Sequence, residues 1–114
     1  MVIAGSRSLD LDSAEWLAAA TLVKAGGTVI VLMGLSRLRE IADRLVADEC
    51  ASTTPAAVLS KGSYLIQDCR AGTLANIATK VDGLKPPAII VVGEVVGLRN
   101  QIQWMEFAAK FENE

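Results

Sequence analysis

Few side chains in this sequence are able to do chemistry. The 114 residues include no histidine, which removes the commonest general base near neutral pH and the commonest zinc ligand. Ser-His and Cys-His nucleophilic pairs are therefore excluded within the chain. The two cysteines, Cys50 and Cys69, lack CxxC spacing and read as reduced thiols, one or both buried, rather than as a disulfide or a metal site. Acids suited to proton transfer are scattered. Asp10 and Asp12 stand two apart in a polar stretch, where such pairs are usually solvated or cap a helix. Glu94 follows an apolar run at Gly93, a place that suits either a ligand contact or an exposed cap for the next helix. Trp104 and Phe107 are able to stack on a planar ring, but residues of this kind more often pack against a core or an interface.

Glycine marks the ends of three apolar runs, at Met33-Gly34, Lys61-Gly62 and Gly93-Glu94. In open α/β sheets, ligands bind beyond the carboxyl ends of the strands, and glycine there lets a ligand approach the backbone. Each glycine alone is adequately explained by a turn. The three together predict a shared ligand edge built on Met33, Gly62 and Gly93. It is not a phosphate loop: no GxGxxG follows a strand, and Lys61-Gly62-Ser63 lacks the earlier glycine that a P-loop requires.

The elements that must carry these residues follow from hydrophobic patterning. Val2-Ile3-Ala4 is a short strand fragment that looks cut from something longer. Asp12 or Ser13 caps a helix through Trp16 towards Lys24, ended by Gly26-Gly27. Thr28 to Met33 is β-branched and apolar, as expected of a buried central strand. A second helix places Leu35, Leu38, Ile41, Ala42, Leu45 and Val46 on one face. Ala56 to Leu59 is another buried strand, and Ile66 to Arg70 alternates as an edge strand does. Gly72-Thr73 is expected to open a helix with Leu74, Ile77, Ala78 and Val81 inward, punctuated by Gly83 and Pro86-Pro87. Ala88 to Val92 is the last strand. From Leu98 a final amphipathic helix carries Ile102, Trp104, Met105, Phe107, Ala108 and Phe111, before a tail at Glu112-Asn113-Glu114. Alternating helices and strands predict one α/β domain with a mixed sheet of about five strands flanked by helices.

Composition agrees with that class. A hydrophobic fraction of 52% and a mean hydropathy of +0.39 are high for a small domain, so part of the apolar surface is available to a partner. The net charge of −2 provides no electrostatic footprint for nucleic acid. No apolar run is long enough to span a bilayer and the N-terminus is not a signal peptide, which predicts a cytoplasmic protein.

Several runs, in this order and spacing, carry a family resemblance. They are Val31-Leu32-Met33-Gly34-Leu35, Thr54-Pro55-Ala56-Ala57-Val58, Lys61-Gly62-Ser63, Ala71-Gly72-Thr73-Leu74, and the run from Pro86-Pro87 through Val92-Gly93-Glu94-Val95-Val96. Over residues 9 to 105 the chain resembles the second domain of the uroporphyrinogen-III C-methyltransferases, in the tetrapyrrole methylase family. The resemblance implies the fold of that second domain. It also implies transfer of methyl groups from S-adenosylmethionine to carbons of uroporphyrinogen III, giving precorrin-2 for sirohaem and cobalamin synthesis. The family's cofactor lies between two α/β domains of a homodimeric enzyme, so the implied cofactor contacts here are Met33 and Gly62, with Gly93 and Glu94 nearby.

The chain departs from the family pattern at Gly62-Ser63, where Gly-Thr is usual, and at Asp68, where a basic residue is common. Residues are inserted around Ser13 to Lys24, and residues 106 to 114 run past the usual closing segment. The family's N-terminal domain, with its Gly-rich loop and Gly-Gly-Asp motif, is not represented. The expectation is an incomplete site that binds cofactor weakly or not at all alone and does not methylate. A non-catalytic dimerisation module that kept the fold is the alternative reading, and a methylase of the same fold acting on another precorrin is a third.

Overall fold

The computed structural model describes residues 2–4, 9–61, 66–84 and 88–94. Its five strands are β1 (Val2–Ala4), β2 (Thr28–Leu32), β3 (Pro55–Lys61), β4 (Ile66–Thr73) and β5 (Ala88–Gly93), joined in one sheet of order β1-β2-β5-β3-β4. β1 and β2 are parallel, while β5 runs antiparallel to both of its neighbours, β2 and β3. β3 and β4 are antiparallel. β1, β2 and β3 therefore point one way and β4 and β5 the other, which makes the sheet mixed as expected. β5, buried along its whole length, is the central strand, and β4 is an edge.

Two helices pack on one face. Helix α1 (Ala14–Lys24) begins where Ser13 accepts the amide of Trp16 at 3.2 Å, satisfying one of the donors a helix start leaves open. It buries Trp16, Ala19, Ala20 and Val23. Helix α2 (Leu38–Ala47) follows a short 3-10 turn at Leu35–Arg37 and buries Leu38, Ile41, Ala42 and Leu45. Val46, expected on that inner face, is instead exposed. Both helices share a core with Val29, Val31, Val58, Ile90 and Val92. The alternate residues Ile30, Ala57, Leu59, Ile89 and Val91 form a separate cluster on the reverse face, as the two-residue period of a strand requires. The Cys50 thiol is buried beside α1 and donates to the Ala20 carbonyl at 3.6 Å. Burial pushes its pKa up, which keeps it protonated and inert.

The helix expected from Gly72-Thr73 does not form. Both residues belong to β4, and only a 3-10 turn at Ile77–Thr79 follows. The amides of Leu74 and Ala75 donate to the carbonyls of Thr54 and Ser52, each at 3.0 Å. The Asn76 carboxamide accepts the amide of Thr73 at 2.8 Å. Local bonds of this kind compete with a helical start, and here they hold the segment as a turn. The final helix expected from Leu98 and the tail at residues 112–114 lie outside the described residues.

Candidate functional site

At the end of β2, Leu32 pairs with Ile89 and the chain then turns sharply. Met33 makes the turn with φ 58 and donates its amide to the carbonyl of Ala88 at 3.2 Å. A non-glycine residue in this left-handed region costs roughly 1–2 kcal/mol, and observed strain of this kind is a reason to look for function. Gly34 explains why the turn is placed there. A Cβ at Gly34 would lie 2.9 Å from Cγ1 of Val31 and 3.0 Å from Cδ1 of Ile90. With no side chain, the Leu35–Arg37 turn closes tightly over β2 and β5. The Met33 side chain stays outside this packing, 60% exposed.

β3 runs toward the same edge. Ser60 pairs with Ala88, and Lys61 ends the strand. The ends of β2 and β3 thus flank Ala88 from both sides of β5, about 10 Å apart at the usual inter-strand spacing. Gly62, which follows, lies outside the described residues. This edge is the carboxyl edge of all three co-directional strands, where α/β sheets bind ligands.

Gly93 and Glu94 stand elsewhere. Because β5 runs antiparallel to β2, Gly93 pairs with Thr28 while Ile89 pairs with Leu32. Four residues of strand, about 13 Å, separate Gly93 from the Met33 edge. The expected single edge holding all three glycine-bearing loops is therefore corrected: Met33 and the end of β3 share one edge, and Gly93-Glu94 lies at the other. Gly93 has a packing role. Its φ is 145, and a Cβ there would fall 2.5 Å from the carbonyl oxygen of Gly27. Glu94 is exposed.

Beyond Met33 lies a charged groove that the sequence did not announce. Arg37 donates to the Leu9 carbonyl at 2.6 Å and pairs with Glu40 at 2.8 Å. Arg44 bridges Asp12 at 2.7 Å and Asp48 at 3.3 Å. Arg37 holds the Glu40 carboxyl below its usual range through their hydrogen bond. These pairs pin the loop from Leu9 to Asp12 onto α2, and their arginines and carboxylates offset one another. Asp12 is thus a structural ion-pair partner, and Asp10 accepts the Asp12 amide at 2.8 Å. Among the described residues no group of histidines, cysteines and acids is able to hold a metal ion, and no helix is long and apolar enough to cross a membrane.

The arrangement is that of an α/β methylase lobe: a mixed sheet whose carboxyl edge presents a strained Met-Gly pair. The chain belongs to the tetrapyrrole methylase family. Its sequence is similar to siroheme synthase of Neisseria meningitidis serogroup A, at 38% identity over 111 residues, covering 97% of this chain and 22% of the relative. The siroheme synthase of Actinobacillus succinogenes is 35% identical over 111 residues, covering 95% of this chain and 23% of the relative. The chain thus spans less than a quarter of the length of these relatives. Among solved structures, uroporphyrin-III C-methyltransferase of Thermus thermophilus matches with a TM-score of 0.60 and 30% identity, over 85% of this chain and 39% of that one. The same enzyme complexed with S-adenosyl homocysteine matches with a TM-score of 0.67 at 24% identity, over 86% and 42%. Cobalt precorrin-4 methyltransferase shares the fold, with a TM-score of 0.60 at 17% identity over 82% of this chain and 40% of that one. No family model matches the chain.

Proposed function

We propose that this chain forms the C-terminal half of an S-adenosylmethionine-dependent C-methyltransferase that converts uroporphyrinogen III to precorrin-2 in sirohaem and cobalamin synthesis. Met33 and Gly62 form its share of the cofactor site; Gly93 and Glu94, on the opposite edge, take no part in it. The observation that carries this reading is the strained, exposed Met33 at the edge where β2 and β3 both end. Relatives named as siroheme synthases and uroporphyrin-III C-methyltransferases support the choice of substrate, and the Thermus complex with S-adenosyl homocysteine supports the choice of cofactor.

When bound, the cofactor supplies an electrophilic methyl group on a sulfonium. A nucleophilic carbon of the tetrapyrrole forms the new C–C bond as the S–CH3 bond breaks and its electron pair stays on sulfur. Catalysis of such a displacement is mostly positioning. The residues of this chain contribute by holding one side of the cofactor. The turn at Met33-Gly34 fixes where the thioether side chain stands, and the core of β2, β5 and β3 keeps the edge rigid. The opposing lip comes from an N-terminal methylase domain, so the functional unit is a two-domain, cytoplasmic enzyme that works as a homodimer.

One lip cannot position both reactants, so the isolated chain binds S-adenosylhomocysteine only weakly and does not methylate. Titration calorimetry, run beside a radiolabelled methyl-transfer assay with uroporphyrinogen III, checks this. The expected result is binding weaker than about 0.1 mM and no labelled product. Micromolar binding or turnover by this chain alone would overturn the half-site reading.

A further inference from the structure

The reverse face of the sheet is dry, yet no described element lies on it. Ile30, Ala57, Leu59, Ile89 and Val91 are between 0% and 7% exposed, and they form a cluster separate from the helix-covered core. Both α1 and α2 belong to the opposite core. Strand side chains stand perpendicular to the sheet, so neighbouring strands cannot shield them from above. Apolar side chains at this exposure need a covering layer, and leaving such a face in water is costly.

We propose that residues 98–111 of this same chain form that layer. Three observations select this segment. First, the chain leaves the described fold at Glu94, directly after the central strand β5, which sits under the middle of the reverse-face cluster. Second, the reach fits. Residues 98–111 in helical form extend about 21 Å at 1.5 Å per residue, against about 20 Å for the six residues of β5. A helix returning along β5 would cover it from end to end. Third, the sequence has the required face. At 100° per residue, Arg99, Gln103, Glu106 and Lys110 share one narrow polar side, and Leu98, Ile102, Trp104, Met105, Phe107, Ala108, Ala109 and Phe111 fill most of the remainder. The inference does not depend on the methyl-transfer reading. It makes the C-terminal segment the lid of the second core, and with it the support of the strand that joins the two halves of the sheet.

Methyl-to-methyl and methyl-to-ring nuclear Overhauser effects in the full chain, with isoleucine, leucine, valine and methionine methyls labelled, test the proposal. Cross-peaks are expected from Ile102, Met105, Trp104 or Phe107 to Ile30, Leu59, Ile89 or Val91. A second sample mixing differently labelled chains separates contacts within one chain from contacts between copies. Cross-peaks within one chain support the proposal. Absence of any cross-peak between the segment and the reverse face would overturn it. So would cross-peaks seen only between chains, which would assign the cover to a second copy.

Discussion

Met33 shows how far a residue can be read and where reading stops. The Met-Gly pair after an apolar run is visible in the letters, and so is the chance of a ligand edge there. The left-handed backbone is not, because nothing in the side chain of methionine demands a positive φ. That conformation is imposed by Gly34, which must lie against Val31 and Ile90, and by the bond from Met33 to Ala88. Replacing Met33 with glycine removes the steric cost of the turn, about 1–2 kcal/mol, and adds unfolded-state entropy worth about 0.4–1 kcal/mol. The two nearly offset, so urea unfolding of Met33→Gly should show stability unchanged or raised by up to about 1 kcal/mol. A loss of more than about 1 kcal/mol would mean that the Met33 side chain serves the fold rather than the site. The ion pairs of Arg37 and Arg44 were not legible at all. They join residues far apart in sequence, such as Arg44 and Asp12, and one-dimensional spacing carries no trace of them.

Among the elements, strand existence was readable and strand direction was not. The apolar runs at Thr28 to Leu32, Ala56 to Leu59 and Ala88 to Val92 all became strands, and the alternating stretch from Ile66 became the edge strand. A fully apolar run looks the same in either direction. The sequence therefore left open that β5 runs against both neighbours, and this reversal is what carries Gly93 to the far edge. The misread helix at Gly72-Thr73 has a different cause. Leu74, Ile77, Ala78 and Val81 have helical spacing, but Asn76 and the carbonyls of Ser52 and Thr54 capture the amides that a helix would need free. A Thr-x-x-Asn pattern with a following glycine was the available turn signal. The element-scale prediction follows from the corrected register. Gly93→Ala forces a Cβ against the Gly27 carbonyl in a backbone region that side chains rarely adopt. It should cost about 2 kcal/mol or more, seen as a lowered urea midpoint. An unchanged midpoint would show that the β2–β5 pairing at Thr28 is looser than its geometry implies.

At the scale of the whole molecule, one feature organises the rest. A central antiparallel strand divides the sheet into two ends, and only one end gathers the carboxyl termini of β1, β2 and β3. The fold class was legible because periodicity and composition fix layers. The distribution of chemistry over the two ends was not, because it depends on pairing partners. Exposed apolar side chains among the described residues are dispersed, at Val2, Leu17, Met33 and Val46, and of these only Met33 stands at the ligand edge. The relatives are several times longer than this chain, consistent with a lip that closes against a second domain.

Backbone amide shifts of the isotope-labelled chain, followed as S-adenosylhomocysteine is raised into the millimolar range, test this most directly. The expected perturbations cluster at Met33, Gly34 and Lys61, leave Thr28 and Glu94 unmoved, and approach saturation only at the highest concentrations. Perturbations centred on Thr28, Gly93 and Glu94, or none anywhere along the chain, would contradict the account.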